Sequence, residues 1–105
     1  MNDWKTTHLN AYVDNALVIG SEQWLALVEA IVTAEIWTAL AFAERDGNHI
    51  YMSQALVSPA GMTVHHRRKL RPSGSERDMF SDGNVEDIKV FDTDVGRVGM
   101  LQCGE

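Results

Sequence analysis

Cys103 is the only thiol in the 105 residues. It closes an apolar stretch, Val98-Gly99-Met100-Leu101-Gln102, and is followed by Gly104. A nucleophile on a tight turn after a strand is held exposed, and its neighbour often has to be small. A buried structural cysteine has the same surroundings and is common, so spacing alone favours that reading. Lys69 lies inside His65-His66-Arg67-Arg68-Lys69-Leu70-Arg71. Three readings stand open there: a basic patch for nucleic acid or localisation, a solvated strand end, or a lysine aimed at a reaction centre. In the last, the cation would lower a thiol pKa and stabilise an oxyanion. Glu76, in Ser73-Gly74-Ser75-Glu76-Arg77, either orients the lysine, moves protons, or forms a surface ion pair with Arg77 or a neighbour. His65 and His66 are adjacent, so on a strand they point to opposite faces and chelate poorly. His8 and His49 are remote in sequence, and no metal site is expected. Asp78, Asp82, Glu86 and Asp87 read as solvated loop charges.

The elements that must carry these groups follow from periodicity. Ser21 is a good N-cap, Glu22 suits the first turn, and Trp24, Leu25, Leu27, Val28, Ile31, Val32 and Ala34 recur at helical spacing. This predicts a helix over 21–35, with Trp24 in the core. Before it, a loop or short helix leads into a strand-like segment at 16–19. Residues 36–44 are mostly apolar, β-branched or aromatic, as in a strand buried on both faces. Arg45-Asp46-Gly47-Asn48 is a hairpin turn, 49–58 a second strand, Pro59-Ala60-Gly61 a second turn, and 62–67 a third strand. The three form an antiparallel meander. Residues 68–84 are irregular, and a long loop of this kind is often functional. Strands at 87–92 and 97–103 complete the pattern.

Composition limits the function classes. The chain holds 9 Lys and Arg against 15 Asp and Glu, a formal net charge of −6. Such an acidic chain is a poor general binder of nucleic acid, and the basic run lacks interleaved aromatics. One cysteine excludes an intramolecular disulfide framework and a Cys-based zinc cluster. The longest apolar stretches are broken well short of the ~18 residues a membrane span needs. No signal peptide is visible in Met1-Asn2-Asp3-Trp4-Lys5. The expectation is a soluble, cytoplasmic α+β protein with no cofactor, since no nucleotide-binding loop is present.

Taken in order, these pieces resemble the nitrilase branch of the carbon–nitrogen hydrolase superfamily. Glu44-Arg45-Asp46-Gly47 is similar to the family's strand-end ERDG. Tyr51-Met52-Ser53-Gln54 and Pro59-Ala60-Gly61 resemble the next strand and turn. Arg67-Arg68-Lys69-Leu70-Arg71-Pro72-Ser73, then Glu76-Arg77, is similar to the RRKLKPT…ER signature. Phe80-Ser81-Asp82-Gly83 and Asp92-Thr93-Asp94-Val95-Gly96-Arg97-Val98-Gly99 follow, and Cys103-Gly104-Glu105 stands where the family has Cys-Trp-Glu or Cys-Tyr-Glu. The resemblance implies that Cys103 attacks a nitrile carbon, that Lys69 stabilises the tetrahedral intermediate, and that Glu76 is a second carboxylate supporting the site. It also implies a small-molecule nitrile as substrate and a homo-oligomer when complete.

The same resemblance implies a four-layer α-β-β-α sandwich, of which 1–105 would be a partial domain. The family's first catalytic Glu, in a Phe-Pro-Glu-like context, has no match here, and Glu22 and Glu29 do not fit its motif. Gly104 replaces a usual aromatic, and Glu35 stands at a helix end where relatives often have Gly. An inactive fragment or an interaction partner of intact relatives is the alternative reading, with a basic-patch binder behind it. With the general base of the family unmatched, the 105-residue chain alone is expected to release little or no ammonia from aliphatic nitriles or arylacetonitriles. Turnover that disappears in Cys103→Ala would overturn that expectation.

Overall fold

The computed structural model describes residues 11–102, and its elements follow from where the chain can cap, pair and bury. Residues 11–15 are helical. Helix α1, Glu22–Ala34, begins where the Ser21 side chain accepts from the Trp24 N–H at 3.3 Å and carries Glu22 in its first turn. It ends at Glu35, which takes the left-handed conformation (φ 58°, ψ 38°) and donates its N–H to the Ile31 and Val32 carbonyls. That cap normally falls to glycine, because a Cβ is crowded there.

Strands β1 (Thr38–Asp46), β2 (His49–Val57) and β3 (Thr63–Arg68) form an antiparallel meander in the order β1-β2-β3. Strands β4 (Val90–Thr93) and β5 (Gly96–Gly99) pair as a separate two-stranded hairpin. The architecture is α+β with antiparallel sheets, as the sequence pattern implies. Gly61, in the turn between β2 and β3, has φ +88°, and a Cβ there would meet Val32 at 2.9 Å and Val28 at 3.2 Å. The turn therefore packs directly on α1.

Alternation along the strands divides the sheet into two working faces. The face toward α1 carries Leu40 and Phe42 of β1 and Ala55 and Val57 of β2, packed with Trp24 and Ile31. Trp24 is 5% exposed, and its ring lies 5.5 Å from that of Phe42. His65 and His66 point to opposite faces: His66 bonds Glu44, whereas His65 meets the Asp87 carbonyl and the Phe91 ring.

Several sequence expectations shift. β1 runs two residues further than 36–44, and the turn narrows to Gly47-Asn48, because Asp46 pairs with His49 and Arg68 binds Asp46. β1 is also not buried on both faces, since Ala39 and Ala41 are exposed. The segment 16–19 makes one parallel bridge, Leu17 to Glu44, because the preceding residues are helical. Residues 85–87 form a short 3-10 turn, with the Asn84 side chain accepting from the Glu86 N–H, so the next strand starts at Val90 instead of 87. The last strand ends at Gly99, ahead of the expected 103.

Glu35→Gly should raise stability by about 0.5–1 kcal/mol in urea unfolding, since it relieves the left-handed strain. Glu35→Ala should give no such gain, because alanine carries the same Cβ. Equal effects from the two substitutions would place the origin outside the cap.

Candidate active site

Lys69 follows directly on β3. Its N–H donates to the Met52 carbonyl at 2.6 Å, extending the β2–β3 ladder by one bond. Its side chain is only 3% exposed. The ammonium donates to the Ser73 hydroxyl at 3.3 Å and to Glu76 Oε1 at 3.4 Å. The same Glu76 oxygen accepts from the Ser73 N–H at 2.9 Å, so the first turn of the 3-10 segment Gly74–Asp78 fixes the carboxylate. A buried cation needs a partner of this kind, because desolvation alone would penalise its charge. Lys69 and Glu76 are thus brought together, and Glu76 pairs with Lys69 while Arg77 instead donates to the Pro72 carbonyl.

The loop that holds the pair closes on itself. Gly83 donates its N–H to the carbonyls of Lys69 and Leu70, at 2.9 and 3.1 Å. A Cβ on Gly83 would lie 2.3 Å from the Arg68 carbonyl oxygen and 2.7 Å from that of Lys69. Only glycine allows this approach. Ser81 then donates to the Ile50 carbonyl at 2.7 Å, and Phe80 bridges Ile50 in the space beside β2 that β3 has left.

Two neighbours were not anticipated from the sequence. Tyr12 sets its ring edge-on to Phe80, 5.9 Å between centroids. Burial, and then the nearby charge of Glu76, raise the Tyr12 phenol above its ordinary value. Gln54 links the Lys69 face to the chain leading toward Cys103. It accepts from Arg67 Nη1 at 2.9 Å and donates to the Leu101 carbonyl at 3.1 Å. Arg67 is 1% exposed. Cys103, two residues after Leu101, lies outside the described residues.

On the α1 side of the sheet stands a second polar cluster, centred on Glu44, which is 4% exposed. Its carboxylate accepts from Ser53 Oγ at 2.7 Å, from Arg68 Nε at 3.1 Å and from Arg68 Nη2 at 3.0 Å, and shares a 2.7 Å bond with His66 Nε2. Arg68 also reaches Asp46 at 2.9 Å and lies 3.7 Å above the Tyr51 ring. Ser, His and Glu meet here without forming a nucleophilic triad. Serine and histidine both bond the carboxylate, leaving no base on the hydroxyl. Among the described residues no group of three or more His, Cys, Asp or Glu is arranged to hold a metal ion. No helix among them is long and apolar enough to cross a membrane.

Residues 4–105 match the model of the carbon-nitrogen hydrolase family, and the chain belongs to that family. It is 36% identical to a cyanide hydratase of Stereum hirsutum, over 97% of this chain and 29% of that protein. It is likewise 36% identical to an arylacetone-specific nitrilase of Alcaligenes faecalis, over 97% and 29% respectively. A nitrilase of Talaromyces marneffei is 36% identical over 92% of this chain and 30% of that protein. The chain therefore spans less than a third of the length of these curated relatives.

Glu44 sets a pH dependence. Burial would push its carboxyl up, but the hydrogen bonds from His66, Arg68 and Ser53 outweigh this and lower it from 4.5 to about 2. A depressed carboxyl contributes its full stability above the unfolded value, here 4.5, and loses it as pH falls through about 2. A shift of that size corresponds to about 3 kcal/mol. Urea unfolding between pH 4.5 and 2 should show this loss, and Glu44→Gln should flatten it. An unchanged acid slope in the variant would assign the loss to other carboxyls.

Proposed function

We propose that this chain supplies a lysine–glutamate pair and a cysteine nucleophile to a nitrilase-type hydrolysis, as part of a four-layer α-β-β-α sandwich. The observation that carries the reading is the buried Lys69 ammonium held 3.4 Å from Glu76, in a member of this family. A cation kept dry and aimed by a fixed carboxylate is suited to meet negative charge as it develops on a substrate.

The steps are those of covalent catalysis through sulfur. The Cys103 thiolate adds to the nitrile carbon, and the nitrogen takes a proton to give a thioimidate. Water adds to that carbon, the carbon–nitrogen bond breaks, and ammonia leaves behind a thioester. A second water displaces the thiolate and yields the carboxylic acid. One nitrile and two waters thus become one acid and one ammonia. Lys69 stabilises the tetrahedral intermediates, and Glu76 orients Lys69. No cofactor takes part. Cyanide, aliphatic nitriles and arylacetonitriles all fall within the chemistry, and the relatives' names, cyanide hydratase and arylacetone-specific nitrilase, point toward this range. The setting is a soluble cytoplasmic homo-oligomer.

A second reading, a non-catalytic partner of intact relatives, is favoured by the apolar side chains that α1 and its flanks leave exposed. Leu25 is 58% exposed, Val32 41% and Ile36 57%.

A single covalent event separates the two readings. Incubation with phenylacetonitrile should leave a Cys103-linked adduct in peptide mass spectra. Cys103→Ala should abolish it, and Lys69→Ala should slow its formation by about 100-fold. No Cys103 adduct with any nitrile tested, or an adduct indifferent to Lys69→Ala, would sink the nitrilase reading.

A further inference from the structure

We propose that Glu44 is a positioning residue for Lys69, acting through Arg68 from the opposite face of the sheet. The proposal rests on the reading of Lys69 as the cation of a nitrilase site.

Arg68 is the last residue of β3, and its register partner on β2 is Ser53. Both side chains of that pair end on Glu44, which reaches across from β1. The guanidinium grips the carboxylate with Nε on one oxygen and Nη2 on the other. A two-point contact between planar groups fixes direction as well as distance. The Tyr51 ring, 3.7 Å beneath the guanidinium, restricts it from a further side.

Lys69 is the next residue. Alternation along the strand sends its side chain to the other face, toward Ser73 and Glu76. One β-type bond, from its N–H to the Met52 carbonyl, follows the last registered pair before the chain turns away. Beyond that bond, among the described residues, the Lys69 backbone is held only by the Gly83 N–H on its carbonyl, from a loop and not from a strand, and a strand end of this kind is prone to fray. The Glu44 clamp sits on the immediately preceding residue, where it can prevent this. Chemistry that depends on a cation at a defined distance is sensitive to displacements of an ångström or less.

The test reads Lys69 directly and needs no turnover, so failure of the nitrilase reading would show separately, in the Cys103 adduct experiment. The chain contains Lys5, Lys69 and Lys89. With 13C-labelled lysine, Lys69→Arg identifies the Lys69 side-chain signal, and amide hydrogen exchange reports each backbone bond. Glu44→Gln should lower protection of the Lys69 amide about tenfold more than that of the β1–β2 ladder amides. It should also move the Lys69 Cε signal toward that of exposed Lys89. Arg68→Lys, which keeps the charge but loses the fork, should do both to a smaller extent, and it decides the matter if Glu44→Gln does not fold. Leu40→Ala, a core truncation on the same sheet face, should lower all amides in parallel and leave the Lys69 Cε signal in place. Lys69 changing only in step with the ladder in the Glu44 and Arg68 variants would overturn the proposal. So would an equal response to Leu40→Ala.

Discussion

A carboxylate taken out of water must be paid for by its partners, and Glu44, on β1, has them on both other strands of the meander. Ser53 supplies a hydroxyl from β2, while His66 and Arg68 converge from β3. Burial pushes the carboxyl toward the neutral acid, and the hydrogen bonds from these groups outweigh it and favour the ionised form. The dependence is mutual, because the Arg68 guanidinium has its charge stabilised chiefly by Glu44 and then by Asp46, against its own burial. Breaking such a pair on one side leaves a buried charge without its counter-ion, which is more costly than never having had the pair. The cluster therefore ties the ends of β1 and β3 to the middle of β2. The apolar half of the same face, built on Trp24, Phe42, Ala55 and Val57, supplies burial without that directional demand.

Much of the architecture was legible because it is local. Ser21, the helical spacing after it, and the two turns each announce themselves within a few residues, and the helix and meander follow. The departures arise where a distant group overrules local preference. Arg45-Asp46 reads as the start of a turn. It remains strand because Asp46 pairs with His49 and Arg68, more than twenty positions away, binds Asp46 from β3. Conversely, 87–89 alternate like a strand, yet the Asn84 cap bends the chain at 85–87 before pairing can start. The position of Lys69 just after the third strand follows from the strand pattern. The catalytic role proposed for it, with those of Glu76 and Cys103, rests on the resemblance to a family. The work of Glu44 could not be read the same way. Its partners lie 9, 22 and 24 residues off, and no short motif encodes a contact of that range.

The long loop after β3 shows how an irregular segment is kept in order without a core of its own. Residues 69–83 leave the sheet and return to it, and the closure is made by backbone. Lys69 donates to Met52, Gly83 donates to Lys69 and Leu70, and Ser81 donates to Ile50. Within that ring the 3-10 turn presents Glu76, whose carboxylate meets both the Ser73 N–H and the Lys69 ammonium. Backbone bonds serve well here, because they do not depend on which side chains the loop carries. Their cost falls on Gly83, where any Cβ would meet the carbonyl oxygens of Arg68 and Lys69. The ammonium is thus bracketed from two directions. The closed loop fixes the carboxylate it points to and holds the Lys69 carbonyl through Gly83, and the Glu44–Arg68 fork restrains the residue just before it. Neither constraint alone defines the lysine's position, because a flexible four-carbon side chain has freedom at both its root and its tip.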